Sequence, residues 1–353
     1  MISIYDRLTY RSPSTPMTNI IIVLNVGIFA AMVIFAGAGF WHSPNDVQLL
    51  WGANFGPATQ DGEWWRLGTA MFLHFGVMHL LLNCLSLWEA GQLVERMYGR
   101  WRFIMIYVLA GLTGNLLSLV VQGNQAVSGG ASGAIFGVYG AALIYLWRER
   151  AAISAREFKW LFGGGCAFSI ITIVLGFIIP GIDNAAHIGG FIAGGLVSIV
   201  LSQSMTARLM PVMHKSMAAT VLLLACVGLA SNIPEPKYRW SDELLLRSEI
   251  NAFMYENQAI NRTWLEIAHE SKQGSKTFEE LASKIDFAVS KPYQAQVEKL
   301  SKLPQDPELP SAQQLESLLE YAETRKNQSE ALVKGLRNQP TQDAPSKEIN
   351  NPD

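Results

Sequence analysis

Gly130-Ala131-Ser132-Gly133-Ala134-Ile135-Phe136-Gly137 opens an apolar run, residues 131–148, long enough to cross a membrane. A second apolar run begins Ala185-Ala186-His187-Ile188-Gly189-Gly190. A nucleophile-type serine and a lone histidine each sit on a membrane-type segment. Polar groups are costly in hydrocarbon and are retained there for a reason. The pair points to serine hydrolysis within the bilayer.

The surrounding chain supports a membrane reading. Of its 353 residues, 50% are hydrophobic and only 16% charged, with a mean hydropathy of +0.19. A soluble domain carries about 25% charged residues. The net charge of −2 leaves no basic surface, which excludes a nucleic-acid partner. Residues 1–232 hold 12 Lys/Arg and 9 Asp/Glu, and residues 233–353 hold 15 and 20. The first part is therefore membrane and the second a polar tail.

A spanning helix needs about 20 mostly apolar residues. Seven segments meet this expectation: 17–40, 77–97, 101–121, 131–148, 159–180, 184–203 and 215–232. The first lacks a convincing cleavage site and reads as a retained span. Arg7, Arg11, Arg96, Arg100, Arg102, Arg148, Arg150, Arg156, Lys159, Arg208 and Lys215 fall on one side, against Arg66 in the opposite short loops. This 11-to-1 bias predicts a cytoplasmic N-terminus, and seven spans put the tail outside the cytoplasm. The expected setting is a multi-pass protein of the plasma or inner membrane. Cys84, Cys166 and Cys226 all fall in spans and read as small packing residues.

The expected architecture is an all-α polytopic membrane protein. A cytoplasmic segment, 1–16, precedes a six-span core, 17–203. A loop and seventh span, 204–232, lead to a soluble helical domain, 233–337, and a disordered end, 338–353. The loop 41–69 is long enough to be functional or partly structured, and Trp64-Trp65 suits a membrane–water boundary. In the tail, Ser241-Asp242-Glu243 reads as a helix start. Leu246, Ile250, Phe253, Ile260, Trp264 and Ile267 then share one face. That stripe is read either as a small domain's core or as a surface for substrate ectodomains. Thr277 with Glu280, and Ser311 with Gln314, have capping-box spacing. Residues 303–310 form a Pro-rich linker.

The chemistry follows from the residue types. A serine hydroxyl needs a base to take its proton, and a neutral imidazole near pH 7 serves. Ser132 and His187 both lie near the non-cytoplasmic ends of their spans, at similar depth, where water can enter. Small residues let helix backbones approach, so Gly133, Gly137 and Gly140 facing Gly190-x-x-x-Gly194 would bring the pair together. His79 and Asn83, spaced i and i+4, share a face and can donate to an oxyanion. The blander alternative is interhelical hydrogen bonding. Asp183, four residues before His187, reads as an N-cap rather than a third catalytic group. His74, His79 and His187 could suggest a metal, but no H-E-x-x-H or neighbouring carboxylate accompanies them. An aspartyl mechanism fails because Asp183 stands alone on its side, with Glu89 and Glu95 toward the other.

Several motifs together resemble the rhomboid intramembrane serine proteases. They are Trp65-Arg66, His79-x-x-x-Asn83, Glu95 with Gly99, Gly130-Ala131-Ser132-Gly133, and Ala186-His187-x-x-Gly190-x-x-x-Gly194. The resemblance covers about residues 17–203, a six-helix rhomboid core. It implies Ser132 as nucleophile, His187 as general base, and an oxyanion hole of His79, Asn83 and the Ser132 backbone. Gly130, Gly133, Gly190 and Gly194 are supporting residues, and Phe136 takes the position of a ring placed against the catalytic histidine. It implies no metal or organic cofactor, and substrates that are transmembrane segments of other proteins in the lipid bilayer. Two other readings are weighed beside it. A catalytically dead relative would lack the serine or histidine, and a transporter would show paired charges in mid-span. The tail and seventh span take no role from the resemblance, leaving a protein partner for the tail as a further expectation.

Overall fold

The computed structural model describes residues 3–203, 210–272 and 276–339. The chain divides into two compact units, Met1–Lys237 and Tyr238–Asp353. Both are built of helices, with one isolated backbone bridge, Asn54 to Ser128, among the described residues.

In the first unit, five helices are long and apolar enough to cross a membrane. They are Pro16–Phe35, Val77–Tyr98, Arg100–Gln122, Ala155–Ile178 and Val212–Ala230. The other two expected spans are helical, Ser132–Glu149 and Asn184–Val200, but are not among those five. The first of them ends in Arg148 and Glu149, and the second has only 17 residues. These two carry Ser132 and His187 and are hereafter the serine helix and the histidine helix. Both bury much of their length within the protein, including Ile135, Phe136, Ala186, Ala193 and Val197.

The serine helix is buried along most of its length, from Gly133 through Tyr145 and Leu146. Its neighbours in the core include Val94, Met97, Phe103, Ile106 and Tyr107. Small residues permit this packing. A methyl group on Gly190 would collide with the Gly133 carbonyl, and one on Gly194 with the Gly137 backbone. Close backbone approach gains dispersion contacts that lipid tails cannot match, the usual basis of helix association in membranes. Ala155–Ile178 and Val212–Ala230 instead turn Ile170, Phe177, Ile178, Leu223 and Leu224 outward. Such a surface suits hydrocarbon and is costly in water.

Two polar staples brace this scaffold. The first span begins at Pro16 with no side-chain cap of its own. Buried Glu95 supplies one, accepting from Met17 N–H at 3.1 Å, Thr18 N–H at 2.8 Å and the Thr18 hydroxyl at 2.7 Å. A carboxylate at a helix N-terminus satisfies otherwise orphaned donors and faces the positive dipole end. Arg66 organises the loop 41–69, which folds into short helical turns, Asn45–Leu50, Gly56–Gln60 and Arg66–Thr69. Its guanidinium donates to the Leu49 and Ala53 carbonyls at 2.6 and 3.1 Å and pairs with Glu63 at 2.5 Å. It also lies 4.8 Å from the Trp65 ring centre, while Trp64 and Trp65 stay exposed.

In the second unit, Trp240–Lys272, Phe278–Ile285, Lys291–Ser301 and Ala312–Arg337 enclose a core of their own. Leu246, Phe253, Ile260 and Ile267 are buried against Tyr293, Leu300, Leu315, Ala322 and Val333. The apolar stripe is therefore consumed in folding, which removes it as a substrate-contact surface. The first helix begins at Trp240, one residue before the expected start. The Thr277–Glu280 capping box forms, but the one expected at Ser311 does not. Buried Glu243 captures Ser311 instead, accepting from its N–H at 3.1 Å and its hydroxyl at 2.8 Å. The charged acceptor takes the Ser311 N–H that the Gln314 side chain would otherwise accept, and turns the hydroxyl into a donor rather than a cap acceptor. Most of the end segment expected to be disordered lies outside the described residues.

Candidate active site

Ser132 is the first residue of its helix, and the chain reaches it through Gly129-Gly130-Ala131. Gly130 has φ +143°, a conformation that disfavours any side chain, and its N–H donates to the Ala70 carbonyl at 2.8 Å. A methyl group there would also lie 2.9 Å from His79 Nε2 and 3.6 Å from Ser132 Oγ. Glycine is thus required both by the turn and by the approach of the His79 ring.

His187 lies in the first turn of the histidine helix, 5% exposed. Its Nε2 is 2.9 Å from Ser132 Oγ, a contact between groups 55 residues apart. Phe136, one turn along the serine helix, stacks on the imidazole with ring centres 4.3 Å apart and planes 9° from parallel. The ring is held on one face and hydrogen-bonded at one nitrogen. Its Nδ1 has no partner among the described residues. Gly133 lies against Ala186, and Gly190 and Gly194 set the helix spacing that makes the contact possible.

Asp183 is the N-cap of that helix, accepting from Ala186 N–H at 2.9 Å. It also accepts hydroxyl hydrogen bonds from Ser118 and Ser128, both at 2.5 Å. Sequence spacing identifies the cap but gives no sign of the two serines, because hydroxyl residues are common and their partners lie 65 and 55 positions away.

His79 and Asn83 share one face of Val77–Tyr98, as their spacing requires. Phe75 N–H donates to His79 Nδ1 at 3.4 Å, which assigns the ring hydrogen to Nε2, the nitrogen beside Gly130. Asn83 is buried, and its amide donates to the His79 carbonyl at 2.8 Å. That bond uses one of its two N–H groups. Its direct partner is thus its own helix rather than Ser132. His74 packs edge-on to His79, with ring centres 5.1 Å apart, and both its ring nitrogens are buried without a partner. Among the described residues no group of three His, Cys, Asp or Glu is placed to hold a metal ion.

The Rhomboid domain family matches residues 61–204, which include every residue of this constellation. Among curated relatives, the rhomboid protease GluP of Bacillus subtilis (strain 168) is 35% identical over 225 residues, covering 62% of this chain and 41% of that protein. The rhomboid protease AarA of Providencia stuartii is 31% identical over 221 residues, 56% of this chain and 76% of the relative. The putative rhomboid protease YdcA of Bacillus subtilis is 33% identical over 174 residues, 48% of this chain and 84% of the relative. The alignment with GluP thus spans less than half of that longer protein.

Proposed function

The chain belongs to the rhomboid family, and we propose that this serine-type endopeptidase cuts transmembrane segments of other membrane proteins with Ser132 and His187 as a catalytic dyad. The 2.9 Å contact between Ser132 Oγ and His187 Nε2, braced by the Phe136 stack, carries the reading. Nε2 takes the hydroxyl proton as Oγ attacks the scissile carbonyl. The same nitrogen then protonates the departing amine, leaving an acyl-enzyme. A water, deprotonated by His187, attacks the acyl carbon; the C–Oγ bond breaks, the imidazolium returns its proton to Ser132 Oγ, and the second fragment leaves as a carboxylic acid. The imidazolium formed in each half-reaction lies against the Phe136 face, where the ring quadrupole favours positive charge. His79 Nε2–H, the Ser132 N–H and the free N–H of Asn83 are the donors proposed for the oxyanion.

A fluorophosphonate tests the assignment directly. It should form an adduct on Ser132 in the wild-type protein and none in Ser132→Ala, with the modified peptide located by mass spectrometry. An adduct on another serine, or none at all, would remove Ser132 from the chemistry.

The finer topology belongs to the same proposal. Seven helices cross the bilayer, the N-terminus faces the cytoplasm, and the helical tail lies on the side of the catalytic residues. The 11-to-1 distribution of basic residues supports the orientation. Long domains cross largely regardless of their charge, so the tail's 15 Lys/Arg do not oppose it. A tail on that side is placed to meet the ectodomains of substrates or of a partner protein. Ser283 is exposed on the tail. With Cys84, Cys166 and Cys226 replaced, Ser283→Cys should react with an impermeant thiol reagent in intact cells. Reaction only after permeabilisation would put the tail in the cytoplasm.

A further inference from the structure

The Asp183 carboxylate does more than cap its helix. Oδ1 accepts from Ala186 N–H, while Oδ2 accepts from the Ser118 and Ser128 hydroxyls. Ser118 is buried on Arg100–Gln122. Ser128 stands four residues before Ser132, and its backbone exchanges two 2.8 Å hydrogen bonds with Asn54. Asp183 likewise stands four residues before His187. Ser128–Asp183 and Ser132–His187 are therefore two rungs joining the same two stretches of chain.

We propose that Asp183 is a positioning residue. Through Ser128 and Ser118 it holds the loop before Ser132 in register with the histidine helix, and so keeps Oγ within proton-transfer reach of Nε2. This rests on Ser132 and His187 acting as the dyad. The need for such a brace is local. Gly129-Gly130 has no side chains to pack the approach to Ser132 in place, and the Gly130 N–H bond to Ala70 ties its backbone at one point. Hydrogen bonds to an ionised acceptor are short and about twice as strong as neutral ones, so one carboxylate can fix three elements. Asp183 acts at a distance from the reacting atoms, since His187 Nδ1 donates no hydrogen bond to it.

The test measures fluorophosphonate labelling rates on the full-length protein in detergent, with kcat and KM on a transmembrane reporter and a thermal midpoint for each variant. Ser128→Ala leaves the cap and the Ser118 bond in place. It should slow labelling and lower kcat by about 10-fold, with KM and midpoint unchanged, since even ~1 Å of misplacement costs on the order of 10²-fold. Asp183→Ala should slow labelling by roughly 10²-fold and also lower the midpoint through the lost cap. The double variant should be no slower than Asp183→Ala, because both remove one brace. Labelling of Ser128→Ala at the wild-type rate, or losses that multiply in the double variant, would overturn the proposal. A rate loss that only follows a falling midpoint would overturn it too. A wild-type protein that does not label would instead refute the dyad, a result distinct from these.

Discussion

Ser132→Ala and His187→Ala each lower turnover of a transmembrane reporter by about 10⁴-fold or more, and the double variant is little worse than either single one. In energy this is about 5 kcal/mol of transition-state stabilisation, removed by deleting either half of the proposed proton-transfer pair. The non-additivity is the sharper part of the expectation. Ser132 Oγ and His187 Nε2 are hydrogen-bonded to each other at 2.9 Å, so removing one leaves the other without its proton-transfer partner. Residual activity should persist above the uncatalysed rate, because the proposed oxyanion donors survive both substitutions. Ser132→Ala changes almost no volume, and its thermal midpoint should match wild type. His187→Ala opens a gap beside Phe136, so His187→Asn serves as its better-filled companion. Reporter cleavage by Ser132→Ala at the normal rate would end the serine mechanism. Losses that multiply in the double variant would mean that the two residues act in separate steps.

The sequence made much of this legible, and the pattern of what it left out is physical. Long apolar runs need only length and composition to be seen, so the expected spans all fall on helices of the first unit, though the first ends at Phe35 rather than residue 40, and the short helix Ile4–Arg11 carries no such signal. The serine and histidine helices are the partial exceptions. They are helical where expected, but Arg148 and Glu149 at one end, and a 17-residue length in the other, set them apart from the five long apolar helices. Their burial is written in Gly133, Gly137, Gly190 and Gly194 rather than in hydropathy. The apposition of Ser132 and His187 follows from those same glycines. The supporting polar contacts were harder to see. Glu95 capping the first span 78 residues earlier, Glu243 taking Ser311 from its local box, and Asp183 gathering Ser118 and Ser128 all depend on tertiary proximity. A capping motif states which donor is available, not which acceptor will win it. The Ser311 expectation failed for that reason, because a buried carboxylate 68 residues away offers a stronger bond than the nearby Gln314.

His79→Ala should lower kcat by about 10²–10³-fold with little change in KM, the loss expected when one oxyanion donor is removed. The distinction between kcat and KM matters because a donor aimed at developing charge is used in the transition state and hardly before it. The geometry around His79 is consistent with the proposed role. Its Nδ1 is occupied by Phe75 N–H, and its Nε2 faces the Gly130 turn next to Ser132. Asn83 stands one step behind. One N–H of its amide is spent on the His79 carbonyl, which fixes the turn that carries the ring. Asn83→Ala therefore removes one donor and loosens another, and should cost a similar factor. Both are proposed donors to a single oxygen atom, so His79→Ala with Asn83→Ala should fall well short of the product of the two losses. The competing account is that both residues only pack one helix against its neighbours. On that account, activity per folded molecule stays near wild type while the thermal midpoint in detergent falls. Intact midpoints with reduced kcat would exclude it. Reduced midpoints with normal kcat would leave the oxyanion to the Ser132 backbone alone.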